Sequence, residues 1–495
     1  MNHQNKSSWA AEEFDDVSLG DKRLNARLIK MCDRFSDAPE SPINQACLDW
    51  AETKAAYRFF QNDKVEVGKM LATHRCKTAQ RAKEHKTVLA LQDTSYFVYT
   101  NHPKTEGLGK MSLKKGRNVK NIYSNGLIVH TCLAITTKGL PLGLLDQKIF
   151  SRKLRKKNIS KNKPHDYLPI EDKESYRWVE TLRRTAEDAQ HCPSTQVICL
   201  ADSEADIYEL LAEGTAQPPR VDWIVRACQN RALQRKNSSE NDQEAYVREH
   251  VFAQPVLFTH TIQVRGRTAK VACETRGRRQ PRESRETQVE IRAARVTLRP
   301  PWRADRKLPE ATMNVVFVRE ADPPPKDEPV EWLLLTSLPI DKIEQVRTVI
   351  QYYCVRWMIE VFFRVLKSGC RVEERRFEHI DRLLSCLAVY LIVAWRTLYV
   401  CRLGRGCPEL HCEAVFEPAE WKAVWKVVQR TDPPAAPPSL GEIVLLVAQL
   451  GGYVNRKRKD PPGPQTVWIG LQRMYDFALC WRLFGPGVRS EPLLV

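Results

Sequence analysis

The chain has little that would staple it shut or seat it in a membrane. Its 15 cysteines are an odd number, scattered singly, and none falls in the paired spacing that a zinc site needs. The nearest approach, Cys407, His411 and Cys412, lacks a second pair. Residues 1–15 are polar, without the apolar segment of a secretory leader, so reduced thiols in a cytosol are the expected state. Long apolar runs are also nearly absent. The one exception, residues 383–400, is interrupted by Ser385 and Cys386, carries Arg396 near its end and is flanked by Asp381 and Arg382. It only just reaches the ~18 residues of a membrane span and reads as a buried core helix. No internal repeat is discernible.

Acid is scarce relative to base. Lys and Arg number 78 against 60 Asp and Glu, a formal charge of +18. That excess points to a polyanionic partner, because each neutralised phosphate releases counterions. A membrane surface is the other polyanion, and nothing else in the sequence favours it. Seven of the cations fall in one run, Arg152, Lys153, Arg155, Lys156, Lys157, Lys161 and Lys163. Such runs are usually solvated, and this one has the charge to lie along a DNA backbone. With 495 residues there is room for two to four domains.

Short helices are expected from Trp9 to about Asn62. Ser18-Leu-Gly-Asp21 is a helix start, and Leu19, Leu24, Leu28 and Met31 follow at helical spacing. Arg23, Arg27 and Lys30 lie on the same segment, and a second short helix carries Tyr57, Arg58, Phe59 and Phe60. A basic helical module of this kind reads as a DNA reader or, more plainly, as the solvated face of an ordinary helix pair. Thr87-Val-Leu-Ala-Leu91 is a buried strand leading into Gln92-Asp93-Thr94, and a meander follows over residues 126–145. Gln196-Val-Ile-Cys-Leu-Ala201 is another strand, ending in Asp202. Ser203 is the expected N-cap of the next helix, with Asp206 as its capping partner. Residues 221–337 turn to strands, beginning with Trp223-Ile-Val-Arg226 and ending with Trp332-Leu-Leu-Leu335, and read as a β-rich insertion. Helices return after Pro339. The tail from about Pro408 is helical, broken by the spacer Asp432-Pro-Pro-Ala-Ala-Pro-Pro438.

Tyr353, Arg356, Glu360 and Lys367 are offset by three, seven and fourteen residues. On one continuous helix they would share a stripe about 60° wide. Acid, base and phenol on one face suit a site that holds a metal ion beside a phosphate. The plainer alternative is a surface ion pair between Arg356 and Glu360 worth about a few tenths of a kcal/mol. Two upstream acids bear on the choice: Asp93 after one strand and Asp202 after another. Three convergent carboxylates, Asp93, Asp202 and Glu360, would give an oxygen-only site for Mg²⁺ or Mn²⁺, and phosphodiester chemistry suits two such ions about 4 Å apart. Asp93 also reads as a simple turn residue, and Asp202 as a neighbour of a helix cap.

Several segments, in order, resemble the DDE transposases of bacterial insertion sequences, of the Tn-five (IS-four) group. Ser18-Leu-Gly-Asp21 with Arg23 and Arg27, and Ala56-Tyr-Arg-Phe59, resemble that family's N-terminal DNA-binding segment. Leu91-Gln-Asp-Thr94 and Ala201-Asp-Ser-Glu-Ala-Asp-Ile207 resemble its first two acidic motifs. Glu331-Trp-Leu-Leu-Leu-Thr-Ser337 resembles the last strand of its insertion, and Tyr353, Arg356, Glu360 and Lys367 have the spacing of its Tyr-Arg-Glu-Lys signature. Ala448-Gln-Leu-Gly-Gly452 and Trp468-Ile-Gly-Leu-Gln-Arg473 resemble its C-terminal region. Gln92 stands where some relatives carry an acid, and the run 152–163 is denser than the family pattern.

The resemblance implies an α/β, ribonuclease-H-like catalytic core with a β-strand insertion. The expected division is a helical DNA-end-binding domain over residues 1–70, a catalytic domain over 71–375 (insertion about 221–337) and a helical dimerisation domain over 376–495. It implies Asp93, Asp202 and Glu360 as catalytic metal ligands for two Mg²⁺ ions, with Mn²⁺ as a substitute. DNA contacts would come from Tyr353, Arg356, Lys367, Trp332, Arg23, Arg27, Tyr57 and Arg58. Trp332 would stack on a flipped base near a DNA hairpin. The implied partners are the double-stranded element ends, target DNA and a second protomer in a synaptic dimer. The implied setting is the bacterial cytoplasm, at the nucleoid, with no membrane. Two other readings stay open: an inactive, domesticated DNA-binding protein, and a structure-specific nuclease on the same fold.

Overall fold

The computed structural model describes residues 8–99, 102, 104–113, 122–152, 168–216, 221–234, 245–264, 266, 282–325, 327–454 and 461–486. All of the basic run 152–163 except Arg152 lies outside the described residues. The chain is mixed α/β with a central sheet and helical N- and C-terminal parts. It divides into two compact units, one of residues 1–85, 94–155 and 357–495, the other of residues 86–93 and 156–356. The expected domain 71–375 therefore draws on both.

In the first unit the helices Trp9–Glu13, Lys22–Asp37, Ile43–Ala46, Trp50–Phe60 and Val67–Lys83 come first. Asp21 caps the second of these, its Oδ1 accepting from Arg23 N at 2.8 Å. The apolar spacing then buries Leu28, Met31, Cys32 and Phe35. Strand β1 (Thr87–Val98) enters this unit at Thr94. It is followed by β2 (Gly109–Leu113), β3 (Ile122–Thr136) and β4 (Pro141–Phe150). β3 pairs antiparallel with both β2 and β4. The end of β1 also lies along β3: Tyr99 N donates to Asn125 O at 2.8 Å, and Thr94 Oγ1 is 2.9 Å from His130 Nδ1. At Gly143 on β4, φ is +146°, and a Cβ there would stand 1.9 Å from Thr78 Oγ1 on the helix Val67–Lys83.

The core of this unit is the helix Ile380–Gly406, which is apolar nearly all round. It has the length and composition to cross a membrane, but 83% of its most apolar window is buried inside the protein. Phe35 stacks on its Tyr390 at 5.1 Å, and its Trp395 Nε1 donates to Pro141 O at 3.1 Å. The helices Pro418–Gln429, Leu440–Leu450 and Pro464–Phe484 follow. The last two nearly touch backbone to backbone: a Cβ on Gly470 would stand 1.8 Å from Val447 O, and one on Gly451 would stand 1.8 Å from Thr466 O.

The second unit is built on the start of β1 with β5 (Gln196–Ala201) and β6 (Asp222–Arg226), all parallel. These are short apolar runs buried on both faces, as parallel strands must be. Antiparallel strands continue outward from β6: β10 (Glu331–Thr336), then β9 (Ala311–Glu320), β8 (Arg285–Leu298) and β7 (Phe258–Val264). The segment Trp223-Ile-Val-Arg226 thus belongs to the parallel core, and the β-rich stretch after it extends the same sheet. The helices Tyr176–Gln190, Tyr208–Gly214, Val247–Phe252 and Ile343–Val355 complete the unit.

Candidate active site

The parallel register sets two aspartates side by side. Leu91 of β1 is opposite Leu200 of β5, and two residues further along each chain stand Asp93 and Asp202. Asp93 lies inside β1, which runs on to Val98, and Asp202 directly follows the C-terminal end of β5, so equal offsets carry both just past the pair Leu91 and Leu200. Ligands of α/β sheets gather at the C-terminal ends of parallel strands. Asp202 caps the short turn Ser203–Ala205, its Oδ1 accepting from Glu204 N at 2.8 Å. Asp202, not Ser203, is the cap here. Nor is Asp206 a capping partner: its carboxylate, fully buried, accepts from Cys228 N and Gln229 N at 2.8 Å each and from Arg231 Nη2 at 2.6 Å. In sequence Asp206 reads as a local cap because its partners lie more than twenty residues downstream.

A third strand adds a cation that the sequence reading passed over. Ala201 of β5 is opposite Val225 of β6, and Asp202 and Arg226 each follow that pair by one residue. Its only signal in the sequence is its place as the last residue of an apolar strand run. Arg356 Nη1 lies 3.6 Å from Asp93 Oδ2, and its guanidinium carbon is 5.8 Å from the centre of the Tyr353 ring. Tyr353 is mostly buried. Burial raises its pKa, Arg356 and Arg226 oppose that rise, and Asp202 adds to it. Trp332, on β10, meets Tyr353 edge to face with ring centres 5.4 Å apart. It also lines a cavity of about 340 Å³ with Phe258, Ile291 and Arg347. Asp93, Asp202, Arg226, Trp332, Tyr353 and Arg356 all belong to the second unit.

Glu360 and Lys367 belong to the first unit. The single helix expected to carry all four signature residues is not continuous. The helix Ile343–Val355 ends with Arg356 as its C-cap, Trp357–Arg364 is a separate helix, and Val365–Gly369 is a π-type turn. Arg356 keeps helical backbone angles, but the wider π turn that carries Lys367 shifts the 100° phase, so the stripe does not extend over fourteen residues. Glu360 is half-buried on the second helix. Lys367 Nζ donates to Tyr96 O at 2.7 Å and lies 5.1 Å from the centre of the Phe97 ring. Burial lowers its pKa, and the nearby Glu373 partly restores it. Among the described residues, no three His, Cys, Asp or Glu side chains stand close enough together to hold a metal ion.

Of the expected N-terminal contacts, Arg23 is exposed and paired with Asp21 at 3.2 Å, and Arg27 is half-buried. Tyr57 and Arg58 are both exposed.

Three family models match the chain in order. One described as transposase DNA-binding matches residues 6–65, one described as transposase DDE domain matches residues 172–394, and one described as transposase Tn5 dimerisation domain matches residues 392–483. A cryo-EM structure of a piggyBac transposase synaptic complex with hairpin DNA is similar at 10% identity and a TM-score of 0.35. That similarity covers 98% of this chain and 79% of that one, and at this level it carries no argument. The ordered matches, on an α/β core with helical ends, define a DDE transposase. The chain belongs to the Tn5 type of that family. It is accordingly a DNA-binding, dimerising protein of a family of metal-dependent enzymes that cut DNA and transfer its strands. The DDE match includes Asp202 and Glu360, while Asp93 lies before it.

Proposed function

We propose that this is a cut-and-paste transposase whose metal ligands are Asp93, Asp202 and Glu360, holding Mg²⁺, or Mn²⁺ in its place, as two ions per site. The observation that carries the reading is the equal offset of Asp93 and Asp202 from the paired residues Leu91 and Leu200 on neighbouring strands, with Arg356 3.6 Å from Asp93. Two hard oxygen donors on neighbouring strands fit such a cation, and Glu360 would supply the third. What the bound ions would provide is activation of the attacking oxygen and relief of charge on the leaving one.

The chain's own groups do the rest. Arg356, Tyr353 and Lys367 bind the non-reacting phosphate oxygens and hold the scissile strand in line. Trp332 stacks on a base turned out of the duplex, beside the cavity it already lines. Water first opens the element end, the freed 3′ hydroxyl then attacks the opposite strand to leave a hairpin, and after reopening it joins target DNA. Residues 1–70 bind the ends, residues 71–375 carry the chemistry, and residues 376–495 pair two protomers, in the bacterial cytoplasm at the nucleoid.

The test uses the full chain, DNA bearing the inverted repeats that flank its gene, a target plasmid and Mg²⁺. We expect cleavage at the ends followed by joining to the plasmid, with Asp202→Ala lowering cleavage by several orders of magnitude while end binding persists. Cleavage without joining would mean a nuclease. Specific binding with no cleavage under any divalent metal would mean an inactive DNA-binding protein.

A further inference from the structure

The helix Trp50–Phe60 turns Glu52, Thr53, Ala56, Phe59 and Phe60 inward. On its other side Trp50, Lys54, Tyr57 and Arg58 are exposed, continued by Gln61 at the C-cap. At 100° per residue these five positions fall within about 100° of one another. One stripe therefore presents an indole, an ammonium, a phenol, a guanidinium and an amide. No carboxylate interrupts it, because Glu52 is turned away and paired with Lys30 at 2.5 Å and Arg34 at 3.3 Å. At its far end the stripe runs into a cleft of about 450 Å³ lined by Tyr57, Gln61, Lys104, Arg376, Phe377 and Arg382. The cleft's carboxylate, Glu378, is paired with Arg382 at 3.0 Å.

Trp50 opens the stripe and is 76% exposed, more than any other described tryptophan. The exposed indole offers a flat apolar surface, and the cations beside it favour negative charge. Duplex DNA has both, in base edges and phosphates. Eleven residues of helix span about 16 Å, or roughly five base-pair steps.

We propose that Trp50 reads sequence at the element ends. Its indole packs on base edges, thymine methyls above all, in a groove, while Lys54 and Arg58 hold backbone phosphates on either side. The inference rests on the reading of this protein as an end-binding transposase. It separates two kinds of variant, since apolar contact to bases carries sequence information and phosphate contact does not.

The experiment is fluorescence anisotropy with the full-length protein and two labelled duplexes over a range of salt. One duplex is the inverted repeat flanking the gene, and the other is the same composition scrambled. Trp50→Ala is expected to lose about tenfold affinity for the repeat, keep its affinity for the scrambled duplex and keep its salt slope, with Trp50→Phe recovering part of the loss. Lys54→Ala and Arg58→Ala should weaken both duplexes alike and each reduce the salt slope by about one. An unchanged repeat-to-scrambled ratio in Trp50→Ala, or an equal loss on both duplexes, overturns the proposal. So does a lowered melting temperature of Trp50→Ala, which would mean that the indole supports the fold. A wild-type protein that binds both duplexes equally would instead sink the end-binding reading, and this proposal with it.

Discussion

Two aspartates four residues apart, Asp202 and Asp206, have opposite fates. Asp202 is half-buried at a strand end, and Asp206 is sealed against Arg231 and two backbone N–H groups. Asp206→Ala would strand a guanidinium that is 11% exposed, costing about 3 to 5 kcal/mol. A lowered thermal midpoint should show it, with Asp206→Asn milder. A second buried acid governs acid stability. Glu13 contacts His74 Nδ1 at 2.5 Å and Arg81 Nη1 at 2.7 Å. Burial pushes its pKa up, but His74 and Arg81 outweigh that and hold it at about 2. His74 Nε2 accepts from Leu144 N at 3.0 Å, so the ring is neutral with its proton on Nδ1, in keeping with a pKa lowered by burial. Both groups bind fewer protons folded than unfolded. The Glu13 contribution is complete above pH 4.5 and lost as pH falls toward 2, while His74 opposes acidification from about pH 6.5 downward. Denaturant titrations at several pH values should show stability falling through that window, and Glu13→Gln should flatten its lower part.

At the scale of elements, the strands were legible wherever a short apolar run was bounded by polar residues, as at β1, β5, β6 and β10. The end of β5 marks Asp202, whereas Asp93, which reads as a residue after its strand, lies inside β1, which continues to Val98. The apolar stretch near residue 390 was legible as a core helix because its interruptions are those of a packed interior. The break at Arg356 was not legible, since neither proline nor glycine marks it, and the π turn at Val365–Gly369 carries no compositional signal. Arg226 escaped notice because only the pairing of β5 with β6 sets it beside Asp202. Gly143 likewise reads as an ordinary strand residue, yet its backbone is left-handed and its missing Cβ is the space that Thr78 fills. Gly143→Ala should cost at least about 2 kcal/mol in a denaturant titration. Thr78→Ala in the same chain should recover only part of the steric loss, because its Cβ stays 2.9 Å away, and none of the backbone part.

For the whole molecule, sequence order conceals the architecture. The chain contributes to its first unit in three separate stretches and to its second in two, and of those crossings the one at 155/156 falls inside the basic run. The net charge of +18 was the more direct guide, because DNA affinity depends on it whatever the topology. The helix Ile380–Gly406 has a mechanical meaning. The DDE match ends at residue 394 and the dimerisation match begins at residue 392, inside one unbroken buried helix. No slack lies at that seam. Torque from a docked second protomer would pass along a stiff rod of backbone hydrogen bonds rather than dissipate in a tether. The two activities cannot be parted with scissors, for a chain cut at residue 391 would keep half a spindle and lose the packing that holds its other half in place.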